Sequence, residues 1–209
     1  MSFIETIPCL SDNYAYIIRD EQANNNILID APEHAPIERY LDDKGMTLDF
    51  ILITHHHSDH IDGINYLKLK YAPKIIGAKR DKHRLPPLDI EVEEGKQLSV
   101  GSKTFDIYNV DGHTVGHIAY SLLEDKALFT GDSLMVMGCG RLFEGTPEDM
   151  WKSLEKLKQL PEDIMIYSGH EYTKSNIEFA LTVDPQNEIL KARLIKELEK
   201  LRKGLPTVP

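Results

Sequence analysis

Short apolar runs alternate with polar breaks over the first part of the chain. "FIETI", "YAYIIRD" and "NNILID" are rich in β-branched and aromatic residues, and the breaks "SDN" and "QANNN" between them predict an antiparallel meander. "PIERYLDDKG" changes to helical spacing and stops at a glycine. "LDFILIT" is apolar throughout, as in a strand buried on both faces, and "DHIDGINYLKLKYAP" predicts one helix ended by proline. "KIIGA" adds a short strand. "RLPPLDIEVEEGKQLSVG" reads as a loop with a strand at its end, because its prolines oppose a helix. "KTFDIYNV", "HIAYSLL" and "KALFTGD" form a second set of strands. The helix of "TPEDMWKSLEKLKQL" follows, with Thr146 as N-cap and Pro147 at its first position. "DIMIYSGH" returns to a strand, and "KSNIEFALTV" and "NEILKARLIKELEKLRKG" close the chain as helices. Two strand-rich halves, each with helices behind it, predict an α/β protein in which sheet packs on sheet between outer helix layers.

Composition narrows the function. A chain of 209 residues that is 41% hydrophobic is long enough for a sizeable core. With 34 acidic against 24 basic residues, the formal charge is −10. That balance, with no basic run, excludes nucleic acid and anionic membrane as long-range partners. "MSFIETIPCL" has neither a positive leader nor an apolar core, and no apolar run approaches the ~20 residues that span a bilayer. A cytoplasmic protein is expected. Cys9 and Cys139 are too sparse for a disulfide framework, so both are expected as reduced, buried small hydrophobes.

The concentrated chemistry is "THHHSDH", behind the "FILIT" strand. Side chains alternate along a strand, so His55 and His57 leave its end on one side while His56 points elsewhere. Asp59 and His60 open the next helix. Three later stretches, "VDGHTVGH", "LFTGDS" and "MIYSGHEYT", each place a polar group just beyond an apolar run and contribute His113, Asp132 and His170. Seven groups exceed one tetrahedral ion, so two metals are expected. His55, His57 and His113 would hold one, Asp59, His60 and His170 the other, and Asp132 would bridge them. His117, His56 and Asp30 are candidates for outer hydrogen-bond partners of the ligands. His34 and His83 read as surface residues.

These residues resemble a known family. "THHHSDH" is similar to the T-H-x-H-x-D-H signature of the metallo-β-lactamase superfamily, and "GHTVGH", "FTGDSL", "GHEYT" and "GCGRLFEGT" resemble glyoxalase II, the hydroxyacylglutathione hydrolases. The resemblance runs from "SDNYAY" to "LPTVP". It implies a four-layer αββα sandwich over residues 1–173 and a helical extension over 174–209. It implies two divalent metal ions, zinc or else iron or manganese, and a glutathione thioester as the small-molecule substrate, in a monomer or weak oligomer. The implied reaction is hydrolysis of S-D-lactoylglutathione to D-lactate and glutathione by a metal-bridging hydroxide, with Asp59 and Asp132 offsetting metal charge and orienting the attacking oxygen. Arg141 is expected to pair with a glutathione carboxylate and Tyr172 to donate to the peptide portion. Phe143 stands where the family often has tyrosine and cannot donate. Family members carry further basic contacts beyond "PTVP". Nothing follows Pro209 here, so either the extension is shortened or the thioester is bound differently; Lys191, Arg193 or Lys200 are candidate substitutes, but leucines at helical spacing mark one face of that helix as core and favour these charges as its solvated face. Two other readings stay open: another activity of the superfamily (lactone or β-lactam hydrolysis, or sulfur dioxygenation), and a metal-stabilised binding scaffold with little turnover.

Overall fold

The apolar runs of the first half form one six-stranded sheet in a computed structural model that describes residues 3–208. Residues 1, 2 and 209, the outer ends of the two expected ranges, lie outside the described residues. Strands β1 (Phe3–Cys9), β2 (Asn13–Asp20) and β3 (Asn25–Ile29) pair antiparallel, as the meander predicts. Helix α1 (Ala35–Lys44) crosses over to β4 (Phe50–Leu52), which is parallel to β3. Helices α2 (Ser58–Ile61) and α3 (Ile64–Tyr71) lead to β5 (Lys74–Ala78), and β6 (Ile90–Val92) completes the sheet, both again parallel. The second sheet runs in the order β11-β10-β9-β8-β7, from β7 (Gln97–Val100), β8 (Lys103–Asn109), β9 (Ile118–Leu122), β10 (Ala127–Gly131) and, after α4 (Pro147–Leu157), β11 (Met165–Ser168). Helices α5 (Thr173–Val183) and α6 (Glu188–Arg202) follow and pack on each other.

The four layers follow from a two-residue period hidden inside continuous apolar runs. Ile18, Ile27, Leu52 and Ile76 face the second sheet and meet Phe105, Ile107, Tyr120 and Phe129. Their neighbours Ile17, Leu28, Ile51 and Ile75 face the other way and pack with Ile37, Leu41 and Leu67 of the outer helices. Ala119 and Leu128 of the second sheet pack with Leu157 of α4. The expected αββα sandwich is therefore present. Among the described residues no helix is long and apolar enough to cross a membrane.

Three local expectations are corrected. The helix expected from "DHIDGINYLKLKY" is two, because the loop after β3 inserts between them. Ala31 N–H donates to the His60 carbonyl (2.8 Å) and the Ala31 carbonyl accepts from Gly63 N–H (2.9 Å), which takes the helical partners of that turn. Strand β6 lies inside the segment expected to be loop up to its end; three residues are too short to show alternation. Cys9 is buried as expected, but Cys139 is exposed, on a loop over the edge of the sheets.

Candidate metal centre

Strands β3, β4 and β5 are parallel, and β8, β10 and β11 share one direction in the other sheet, so the segments after their carboxyl ends collect at one edge. The sheets are stitched there by backbone bonds: Ile118 N–H to the Thr54 carbonyl (3.0 Å) and Tyr14 N–H to the Gly169 carbonyl (2.8 Å). All seven expected ligands meet at this edge, in three groups close enough for one ion each: His55, His57 and His113; Asp59, His60 and His170; and His55, His60 and Asp132. Asp132 stands in the middle. Its Oδ2 is 3.3 Å from His113 Nε2 and 3.2 Å from His170 Nε2, and its Oδ1 is 3.4 Å from His60 Nε2.

Four of the five imidazoles are turned by a partner on the far nitrogen. Thr54 Oγ1 donates to Asp30 Oδ2 (2.7 Å) and so accepts from His55 Nδ1 (3.0 Å); Asp30 Oδ2 also accepts from His60 Nδ1 (2.8 Å). His113 Nδ1 donates to the Arg141 carbonyl (2.8 Å), and His170 Nδ1 to Asp12 Oδ1 (2.9 Å). These bonds place a proton on Nδ1 of all four rings and aim Nε2 inward. His57 presents Nδ1 instead, 3.1 Å from His55 Nε2 and 3.0 Å from His113 Nε2. His117, fully buried, accepts from Asp132 N–H at Nε2 (3.1 Å), donates from Nδ1 to the Ile118 carbonyl (3.1 Å) and stacks on His55.

This donor set fits divalent cations. His60 Nε2 and Asp132 Oδ1 are buried and face each other without hydrogen-bond geometry, leaving neither with a partner. Buried polar atoms without partners are costly, and a cation between them removes that cost. The electrostatics divide the cluster in two. Burial, reinforced by neighbouring histidines, holds His55, His57 and His113 below the ordinary imidazole range. Burial opposes charge on His60 and His170 as well, but Asp132, with Asp30 for His60 and Asp59 for His170, outweighs it; His170 is raised to about 10. The His170 hydrogen bond holds Asp59 well below the carboxylate range, and burial of Asp132 is outweighed by His60 and His170.

Asp30 follows β3 in the left-handed region (φ 55°), which aspartate tolerates, and its two oxygens accept from Thr54 N–H, Thr54 Oγ1 and His60 Nδ1. Asp30→Ala strands three buried donors at once and is expected to cost about 2–4 kcal/mol in urea unfolding of the metal-free protein. An unchanged midpoint would show that Asp30 braces nothing.

Above the cluster opens a cleft of about 750 Å³ whose walls include Arg141, Phe143, Tyr172, Met135 and Glu144. Tyr172 stacks on His170 (4.7 Å between centroids), Phe143 sets its edge toward His57 and His113, and the Arg141 guanidinium lies 5.8 Å from the Phe143 ring centre. Arg141, Phe143 and Tyr172 thus all stand at the mouth. Beneath them the loop is tightly seated: at Gly140 a Cβ would fall 2.1 Å from the Asp132 carbonyl oxygen and 2.8 Å from His113 Nδ1. Lys191, Arg193 and Lys200 are outside these walls. Arg193 and Lys200 flank the buried Glu197 and Lys191 pairs with Glu188, so these charges belong to the face of α6, as their spacing suggests, and not to the cleft.

His56 turns away to Asp81 (3.1 Å), His34 stacks on Tyr66, and His83 is exposed. Sequence reasoning missed Asp12 and Asn13, taken only as a turn. Asn13 Nδ2 donates to both the carbonyl and Oδ2 of Asp59 (3.0 Å each), a contact across 46 positions that no local pattern announces.

Comparison with known proteins shows the family of the chain. Residues 11–170 match the family model of the metallo-beta-lactamase superfamily, and residues 171–209 that of the hydroxyacylglutathione hydrolase C-terminus. A hydroxyacylglutathione hydrolase of Ruegeria pomeroyi is 55% identical over 99% of this chain and 81% of its own length, and one of Cereibacter sphaeroides is 48% identical over 98% and 80%. The crystal structure of ETHE1 from Myxococcus xanthus superposes with a TM-score of 0.70 at 30% identity, covering 81% of this chain and 76% of that one. The BLEG-1 B3 metallo-beta-lactamase shares the fold, with a TM-score of 0.74 at 23% identity, covering 80% and 91%. With both parts of the chain matched in order, the chain belongs to the metallo-β-lactamase superfamily and, within it, to the hydroxyacylglutathione hydrolases, the glyoxalase II family.

Proposed function

We propose that the protein hydrolyses the thioester of S-D-lactoylglutathione to D-lactate and glutathione, using two divalent ions, zinc or else iron or manganese. The observation that carries this reading is the pair of three-ligand groups on either side of Asp132, at the floor of a cleft large enough for a peptide thioester. His55, His57 and His113 would hold one ion, Asp59, His60 and His170 the other, and Asp132 would serve both. Bound there, divalent ions supply Lewis acidity toward the thioester carbonyl and ionise water near neutral pH.

The chain's own residues supply the rest. The bonds from Thr54, Asp30, Arg141 and Asp12 hold the rings in one tautomer and direction, so the ligands need little reorganisation during the reaction. Asp59, fixed by Asn13, and Asp132, fixed through its N–H by His117, carry negative charge toward the attacking oxygen and orient it. Arg141 suits a glutathione carboxylate and Tyr172 a peptide carbonyl, while Phe143 offers an apolar edge beside His57 and His113. The departing thiolate is a good leaving group, so the demand on the protein is attack and oxyanion stabilisation.

Metal-loaded protein is expected to consume S-D-lactoylglutathione with kcat/KM of at least about 10⁴ M⁻¹s⁻¹, followed by thioester absorbance. Faster turnover of a β-lactam or lactone, oxygen uptake with a persulfide of glutathione, or no turnover of metal-replete protein would replace this reading with one of its rivals.

A further inference from the structure

A second polar cluster lies at the rim of the cleft and has no part in holding the ions. Arg84 follows the turn after β5. Its guanidinium donates through Nε to Asp81 Oδ1 (2.5 Å), through Nη1 to Glu144 Oε1 (2.6 Å), and through Nη2 to the Val115 carbonyl. The other oxygen of Glu144 accepts from Val115 N–H (2.7 Å). His56 stands over the pair, with Nδ1 3.1 Å from Asp81 and Nε2 3.6 Å from Glu144. Asp81 is buried against Gly116, whose φ of +108° favours glycine and where a Cβ would come within 2.7 Å of the Asp81 side chain.

The partners decide the meaning of this cluster. Val115 is two residues beyond His113, Glu144 directly follows Phe143, and His56 sits between His55 and His57. The Phe143 N–H also donates to the His113 carbonyl (3.2 Å). One side chain therefore joins the loop that carries a candidate ligand to the loop that carries the cleft wall. An exposed ion pair contributes little, but here one carboxylate is buried and a backbone carbonyl is part of the same fork. Arginine suits the task because its planar group serves three acceptors in fixed directions; a lysine ammonium on a flexible stem does not span them.

We infer that Arg84 is a positioning residue, a latch that fixes the 141–144 wall against the His113–His117 loop and so places Arg141 and Phe143 for the peptide part of the thioester. This rests on the thioester-hydrolase reading for its substrate, though not for its geometry.

The test compares metal-loaded wild type, Arg84→Met, Arg84→Lys and Glu144→Gln. In Arg84→Met, KM for S-D-lactoylglutathione is expected to rise ~10-fold with kcat within about 2-fold and metal content unchanged, since binding geometry is lost and the metal ligands are not. Amide hydrogen exchange across 141–145 should quicken while that of 55–60 stays at the wild-type rate. Arg84→Lys should recover at most part of the KM, and Glu144→Gln should show a smaller rise of ~3-fold. If KM and exchange at 141–145 are unchanged, or if metal is lost and 55–60 exchanges faster, the latch is wrong. Should Arg84→Met fail to fold, Glu144→Gln decides by the same two readouts. Wild type that ignores the thioester would overturn the proposed substrate, while exchange at 141–145, which involves no substrate, still decides for or against the latch.

Discussion

Asp132→Ala is expected to leave at most one equivalent of divalent metal per chain and to lower thioester turnover on the order of 10³-fold. Its carboxylate lies within 3.5 Å of ring nitrogens from both proposed metal sets, those of His113 on one side and His60 and His170 on the other. Without it, His60 loses its nearest inward carboxylate while His60 and His170 keep their outer partners, Asp30 and Asp12. Three ligands remain for each ion, but two cations then face each other with less negative charge between them, and Coulomb repulsion at a few ångströms in a poorly hydrated pocket is severe. The expected pattern is loss of one ion with the fold intact. Elemental analysis giving full occupancy, or turnover within a few-fold of wild type, would remove Asp132 from its central place.

The second large effect is in proton release. At pH 7 the metal-free protein should hold a second ring proton on His60 and His170, whose folded-state pKa values lie above the ordinary range, and no second proton on His55, His57 and His113, which lie below it. A cation can take an imidazole nitrogen only after its proton leaves. Loading the His55–His57–His113 end is therefore expected to release almost no protons, and loading the Asp59–His60–His170 end about two per ion. The sign follows. As pH falls below 7, affinity at the second end should drop by about tenfold per unit for each proton displaced, while the first end holds until its depressed rings titrate. Calorimetric titrations in buffers of different ionisation enthalpy measure the proton count directly. Equal release in both steps would show that the carboxylates do not divide the centre in this way.

Much of this candidate centre is legible in the sequence because its expected ligands follow a rule: each lies just past the carboxyl end of an apolar run, and parallel strands bring such ends to one edge. His55, His57, His113, Asp132 and His170 could be gathered on that basis without coordinates. The layers were legible too, since runs such as "FILIT" and "KIIGA" signal strands covered on both faces. What escaped depends on contacts between distant segments. Asn13 reaches Asp59 and Asp12 reaches His170 from a turn whose residues look like ordinary turn formers. The break between α2 and α3 is made by Ala31, 29 positions before His60, so no local pattern marks it. Arg84 and Glu144 carry no signal at all until the fold sets them 2.6 Å apart. Cys139 was misplaced because its type favours burial, whereas its loop rides over the sheet edge.

The seating of Gly140 bears on how this enzyme can diversify. With no room for a Cβ between the Asp132 carbonyl and the His113 ring, that position cannot take a side chain without disturbing both. If Arg141, Phe143 and Tyr172 meet the substrate as proposed, drift in acyl or peptide preference falls to these outward tips, so evolvability at this pocket is a matter of a few side chains above a floor that admits none.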